Sequence, residues 1–319
     1  MDDRRNAGTR AGGVVVVRSA RCGRRTGGAV CDRHDLRHPA TRPPSGGGVV
    51  TSAAAGTARS DRWAQVPPWP LIRQVIHRSA TSLRRIPAGI VPVVVMPVFF
   101  TVAFSGTFSG LTELPGYPTD NILNWMIPYA CLQSASFAAL ASAFSLGRDL
   151  ESGFYDRLLL APAPRWTVPT ASVLWAMIRA LLPLTITLAL GVIGGMTFPG
   201  GFAAVWWLAV GAFAVAALGS LWGLGVTYRI QRQSAGGLVQ ISLFVIMFLS
   251  VGTVPIDLQE GWLPYVARWN PVTYILDMAR CGFVGTCEWS AIWPGLVAIA
   301  GGAVLLGWWA ERGWRRLVP

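Results

Sequence analysis

The stretch GRDLESGFYDRLLLAPAPRW, residues 147–166, sets Arg148, Asp149, Glu151, Asp156, Arg157 and Arg165 between two long apolar runs. A loop joining two membrane helices needs only a few residues, so this density of charge asks for a use. Read as a short amphipathic helix, it puts Leu150, Phe154, Leu158 and Ala161 near one face and Glu151, Asp156 and Arg157 elsewhere. Pro162 stops that helix and Pro164 fixes the turn into the next apolar run. The chemistry open to it is docking: such a helix, held along a membrane, carries another protein. The plainer alternative is an interfacial surface helix without a partner.

Other chemistry is short of reagents. All 27 basic residues are arginine, so the chain can supply neither a phosphate-binding P-loop lysine nor a Schiff-base lysine. If the protein uses ATP, another chain binds it. His34, His38 and His77 all precede the first long apolar run, and no Asp or Glu lies inside any such run. A proton relay, a metalloprotease or a lipid hydrolase therefore has nothing at depth to be built from. The serines of QSASFAALASAFS, residues 133–145, have no His or Asp beside them. With AALGSLWGLG (216–225) they read as small residues that let helices approach closely. The expectation is no enzyme, no metal and no cofactor in this chain. Arg179 is the one charge well inside an apolar run; it either lines a cavity that meets an anion or snorkels to the interface. Cys281 and Cys287, six apart, fit no zinc pattern but can pair if they face an oxidising side.

The elements that must position these residues follow from composition. The chain has 319 residues, 52% hydrophobic and only 13% charged, where soluble domains carry about 25% charged residues. Its net charge of +12 does not point to nucleic acid, because 16 of the 27 arginines precede residue 86. Residues 1–62 form an Arg/Gly-rich tail without helical or alternating period, which reads as disorder or as a start site placed too far upstream. PPWPLIRQVIHRSATSLRR, residues 67–85, suits an amphipathic helix in the membrane interface. A hydrocarbon core about 30 Å thick takes about 20 apolar helical residues. Six segments qualify: 87–106, 122–146, 169–196, 202–227, 237–255 and 290–310. The first fits equally as a span broken near Pro92 and Pro97. Arginine lies before span one, after spans two and four and at the C-terminus, which puts both termini in the cytoplasm. The outer stretch 256–289 is too apolar for a solvated loop and reads as short helices re-entering the membrane, or as a cap packed on itself.

With the spans placed, the motifs resemble those of type-2 ABC-transporter permeases, the daunorubicin-resistance-like drug and lipid exporters in particular. Glu151, Gly153, Asp156, Arg157 and Leu158, followed by Pro162 and Arg165, look like that family's coupling-helix segment. Arg84, Arg85 and Pro87 resemble its interfacial connecting helix, and Arg179 ahead of Pro183 sits where these permeases often carry an arginine. Pro255, Trp262, Leu263, Asn270, Pro271, Tyr274 and Arg280 are similar to its span-five exit. The likeness covers about residues 65–316, so residues 63–319 form the permease domain and the head stands outside it.

The resemblance implies an all-α integral membrane protein with six transmembrane helices, an N-terminal interfacial helix, a cytoplasmic coupling helix and extracellular re-entrant helices between spans five and six. It implies a dimer with a second permease subunit, like or unlike. Two copies of a separate ABC ATP-binding subunit bind ATP and Mg2+ and push on the coupling residues. Residues 255–280 would form the extracellular gate. The expected function is outward transport of a hydrophobic drug, lipid or secondary metabolite across a bacterial plasma membrane. The alternatives are a glycan exporter of the same architecture and an ATP-independent channel or scaffold.

Overall fold

The computed structural model describes residues 67–85, 91–113, 115–155, 166–250, 252–259 and 261–317. The expected tail 1–62, and Pro87 of the connecting stretch, lie outside the described residues. Every described element is helical. In order they are α1 (Pro68–Arg85), α2 (Val91–Thr107), α3 (Ile122–Glu151), α4 (Thr167–Ile193), α5 (Phe202–Ile230), α6 (Ala235–Phe248), α7 (Leu263–Trp269), α8 (Pro271–Val284) and α9 (Trp289–Trp314). Two 3-10 turns, Ser109–Glu113 and Ile256–Leu258, lie in the connections.

α3 is the hub, packing on α2, α4, α5, α6 and α8. It starts where Asn121 Oδ1 accepts the Leu123 N–H at 2.9 Å, and its alanines 135, 138, 139 and 143 are fully buried. Opposite them on α5 stand Gly219 and Gly223. A methyl added to Gly219 would come within 2.9 Å of the Ala139 Cβ, and one on Gly223 within 3.1 Å of the Ala143 Cβ. The small residues of the two stretches thus let the helices approach, as expected. Membrane helices gain no hydrophobic driving force from each other, so van der Waals contact at this range is a main source of their cohesion.

Four helices, α3, α4, α5 and α9, are long and apolar enough to cross a membrane. Pro128 and Pro183 sit inside α3 and α4 without ending them. The other two expected spans are shorter. α2 has 17 residues and α6 only 14. At 1.5 Å per residue these reach about 26 Å and about 21 Å, short of a hydrocarbon core of about 30 Å. The segment expected as one helix over 237–255 ends at Phe248, and Ser250 follows it, its hydroxyl donating to the Met247 carbonyl at 2.6 Å. The chain then runs through the 3-10 turn into the short helices α7 and α8.

The helices deliver their ends to two places. At one end, here the basic end, the C-termini of α3, α5 and α9 meet the N-termini of α4 and α6, with α1 packed on α4. At the other, Cys281 and Cys287 form a disulfide between the end of α8 and the approach to α9.

Candidate functional site

Among the described residues the charged patch breaks at Gly153: α3 ends at Glu151, and Phe154 and Tyr155 are helical again. Arg148, Asp149 and Glu151 form the last turn of α3. The Ser152 N–H donates to the Arg148 carbonyl at 3.0 Å and the Gly153 N–H to the Leu150 carbonyl at 3.2 Å, which completes α3 rather than starting a new helix. Gly153 takes φ +64°, a left-handed conformation that closes helix C-termini and that other residues adopt at a cost. Leu150 and Phe154 therefore do not share the continuous apolar face expected from the sequence. Asp156, Arg157, Leu158, Pro162 and Arg165 lie outside the described residues.

The two acids of that last turn are committed within the chain. Asp149 receives both ends of the Arg78 guanidinium, Nη2 to Oδ1 at 2.6 Å and Nη1 to Oδ2 at 3.1 Å. The same guanidinium lies 3.9 Å from the centre of the Phe154 ring. Glu151 Oε1 accepts the backbone N–H of Gln233 at 2.9 Å. Asp149 thus ties α3 to α1, and Glu151 ties it to the turn between α5 and α6. Just beyond Gly153, Tyr155 is buried with its hydroxyl 3.1 Å from that of Tyr228 and its ring edge-on to Trp314. Burial pushes the Tyr155 hydroxyl far above the usual phenol range, so it stays neutral. Four helices therefore hold the entry to the charged stretch. Arg179 sits half-buried on α4 within the electrostatic reach of Arg148, and it is engaged rather than free.

The residues expected at the exit gather at the disulfide end. Asn270 Oδ1 accepts the Val272 N–H at 3.0 Å, capping α8, and its Nδ2 donates to the Ile246 carbonyl at 2.6 Å, fastening the α7–α8 joint to the end of α6. Pro271 fills the first turn of α8, where a missing N–H costs nothing. Tyr274 donates its hydroxyl to the Arg268 carbonyl at 2.7 Å. Pro255 is buried and leads into the second 3-10 turn. Trp262 departs from the group, with two-thirds of its surface exposed at the start of α7.

Arg280 organises this end. It is 2% exposed, donates Nη2 to the Gly252 carbonyl at 2.9 Å and lies 3.6 Å from the Trp125 ring centre. Asp277 stands 4.0 Å away. Burial pulls its pKa down to about 10, against the pull of Asp277, Tyr117 and Tyr129, so it remains a cation at neutral pH. Gly252 is required beside it: a methyl there would fall 2.2 Å from the Tyr129 ring.

Between the two ends lies an apolar cavity of about 310 Å³, walled by Ser136, Trp222, Met247, Ile275 and Leu305 among others. Next to it Gln133 is 2% exposed on α3, and neither its amide nitrogen nor its oxygen has a partner. Gln240 of α6 lines the same narrow crevice. No sequence motif marks Gln133; only its polarity in an apolar run sets it apart. Among the described residues, no group of three or more His, Cys, Asp or Glu could hold a metal ion.

The sequence profile of the ABC-2 family transporter proteins matches residues 101–310, from α2 to the last turns of α9. The chain belongs to this family. ABC-2 relatives include the daunorubicin resistance ABC transporter permease protein DrrB1 of Streptomyces coeruleorubidus, 24% identical over 211 residues, 64% of this chain and 72% of that one. The probable doxorubicin resistance ABC transporter permease protein DrrC of Mycobacterium tuberculosis is 26% identical over 242 residues, 75% of this chain and 86% of its own. The probable multidrug ABC transporter permease YbhR of Escherichia coli K12 is 23% identical over 165 residues, half of this chain and 45% of its own. These are permease subunits, and the apolar helices make this ABC-2 chain a multi-pass membrane protein like them.

Proposed function

We propose that this chain is the membrane subunit of an ATP-driven exporter that moves a hydrophobic drug, lipid or secondary metabolite out of the cell. Two separate ATP-binding subunits hold ATP and Mg2+, and a second permease subunit completes the path. The ATPase contact is the stretch that leaves α3 at Gly153, with Asp156, Arg157, Leu158, Pro162 and Arg165 as its contact residues. Both termini face the cytoplasm, and α7 and α8 re-enter the membrane to form the outer gate around Pro255, Asn270, Pro271, Tyr274 and Arg280. The apolar cavity with the amides of Gln133 and Gln240 beside it suits a cargo that is mostly hydrophobic with a neutral polar group.

The observation that carries this reading is the double tie at the root of that stretch. Arg78–Asp149 and Glu151–Gln233 join it to α1 and to the α5–α6 turn, so a push there moves three helices together. The names of the drug-resistance permeases support the direction and class of cargo. The test is a pull-down from native membrane, with ATPase activity measured on the eluate. The expected result is a stoichiometric soluble ATPase that is lost from an Asp156→Arg, Arg165→Glu double variant whose thermal melt is unchanged. An ATPase retained at full activity by that variant removes the coupling role, and no ATPase at all removes the reading.

A further inference from the structure

Arginine marks the basic end of this bundle, and among the described residues only Arg268 and Arg280 stand at the disulfide end. Arg280 is buried and bound as described. Arg268 is different. It is exposed near the end of α7, and the three ion pairs among the described residues, Arg78–Asp149, Asp277–Arg280 and Glu311–Arg315, leave it out. Its own carbonyl is held by the Tyr274 hydroxyl, which fixes the backbone while the side chain stays outside.

The surroundings are those of a binding crevice. Arg268, Trp269, Tyr274 and Trp293 rim an open hollow of about 650 Å³ whose floor is Pro271, Val297 and Ala298. Trp269 is 90% exposed, the most exposed of the large hydrophobic residues among those described, and Trp293 and Val297 are half exposed or more. From this floor the exposed apolar face of α9 continues along the helix through Val304 and Leu305. A guanidinium at the top, indoles around it and an apolar strip leading down into the hydrocarbon form one amphiphilic site. Tryptophan settles at the headgroup level of a bilayer, and arginine pairs with phosphate through planar, charge-assisted hydrogen bonds.

We infer that this crevice binds an anionic phospholipid of the leaflet at the disulfide end, its phosphate on Arg268 and an acyl chain along the α9 face. The charge supplies the choice among lipids, because an apolar groove with two indoles would accept a zwitterionic lipid as readily. The site is independent of the ATPase contact, although Pro271, Ala298 and Leu305 also wall the central cavity, and it requires only that the chain lie in a membrane.

The probe is a phospholipid with brominated acyl chains, which quenches tryptophan on contact. The protein is reconstituted into vesicles containing a rising fraction of brominated phosphatidylglycerol or brominated phosphatidylcholine. The portion of quenching that a Trp269→Phe variant loses reports this crevice alone. That portion is expected to reach half-saturation at severalfold less phosphatidylglycerol than phosphatidylcholine, because both lipids offer a phosphate to Arg268 but the choline cation of phosphatidylcholine offsets the attraction. Arg268→Gln should bring the two curves together, while Arg315→Gln, at the opposite end, should leave them apart. Coincident curves in the unmodified protein, or a gap that survives Arg268→Gln, overturn the assignment. So does a Trp269→Phe variant that loses no quenching, which would mean that a second copy or another partner covers the face.

Discussion

Single side chains at this molecule's ends carry more than their share of its cohesion. Arg280 contributes a desolvated cation–π contact with Trp125 and a charge-assisted bond to the Gly252 carbonyl. Contacts of this kind are worth about 2 kcal/mol each when buried. Arg280→Gln should therefore lower stability by about 2–4 kcal/mol, seen as a fall in thermal midpoint in detergent. Arg268→Gln should leave the midpoint nearly unchanged, since its side chain makes no such contact; equal losses would show that Arg280 is not the organiser. Gln133 works the other way. An amide buried without a partner costs about 1–3 kcal/mol. Gln133→Leu, which keeps the bulk and removes the polarity, should raise the midpoint, and a lowered midpoint would reveal a partner the amide depends on. Of these residues the sequence pointed to Arg280 through its motif but could not show its partners. Trp125 and Gly252 are far from it along the chain, and nothing local to either predicts that they meet.

Helices were the most legible part, because a long apolar run bounded by polar residues has few other solutions in a membrane. The expected spans 122–146, 202–227 and 290–310 match α3, α5 and α9 to within a few residues at each end, and 169–196 matches α4 likewise. The misses have local causes. The fifth run overshot because Leu249 and Val251 look as apolar as the helix before them, while Ser250 and Gly252 end the ladder. The charged stretch starts later than expected because Arg148–Glu151 keep α3's hydrogen bonding past the apolar limit; Gly153 then breaks it, and Phe154 and Tyr155 are helical again. The ties that hold this break were invisible: Arg78 lies 71 residues from Asp149, and Gln233 lies 82 from Glu151. Their worth is open to a double-mutant cycle. Arg78 is half exposed, so the pair should couple by about 1 kcal/mol at low salt and by less at high salt. A charge exchange, Arg78→Asp with Asp149→Arg, should recover part of the loss of either single variant, and no recovery would mean that α1 is held by packing alone. Glu151 needs only an acceptor for the Gln233 N–H, so Glu151→Gln should be tolerated where Glu151→Ala loosens the α5–α6 turn to proteolysis. Gly153→Ala should cost about 1 kcal/mol, because its left-handed φ is nearly free only to glycine.

Across the whole molecule the two ends differ in chemistry as well as in position. Arg148, Arg229, Arg232, Arg312, Arg315 and Arg316 gather at one end, and the Cys281–Cys287 disulfide closes a loop at the other. Arginine near the ends of spans is retained on the cytoplasmic side. Disulfides persist where the compartment is oxidising. The two rules rest on unrelated physics, insertion in the one case and redox poise in the other, and they assign opposite ends to opposite sides without conflict. The buried Cys131 does not pair, in keeping with a place inside α3 that neither compartment reaches. The orientation we propose on these two rules has the basic end in the cytoplasm and α7, α8 and the disulfide outside. It is read out by single cysteines placed in a chain whose own cysteines are replaced, and labelled in intact cells with a membrane-impermeant maleimide. Thr119→Cys and Ser290→Cys, at the disulfide end, should label before lysis; Ser234→Cys and Arg316→Cys should label only after it. The reversed pattern would set the arginine-rich end outside, where an ATP-binding subunit has no ATP to use, and would end the exporter reading together with the topology. The disulfide adds a separate check. Closing so short a loop is worth about 2 kcal/mol, so Cys281→Ser with Cys287→Ser should lower the thermal midpoint while leaving the cytoplasmic labelling pattern intact.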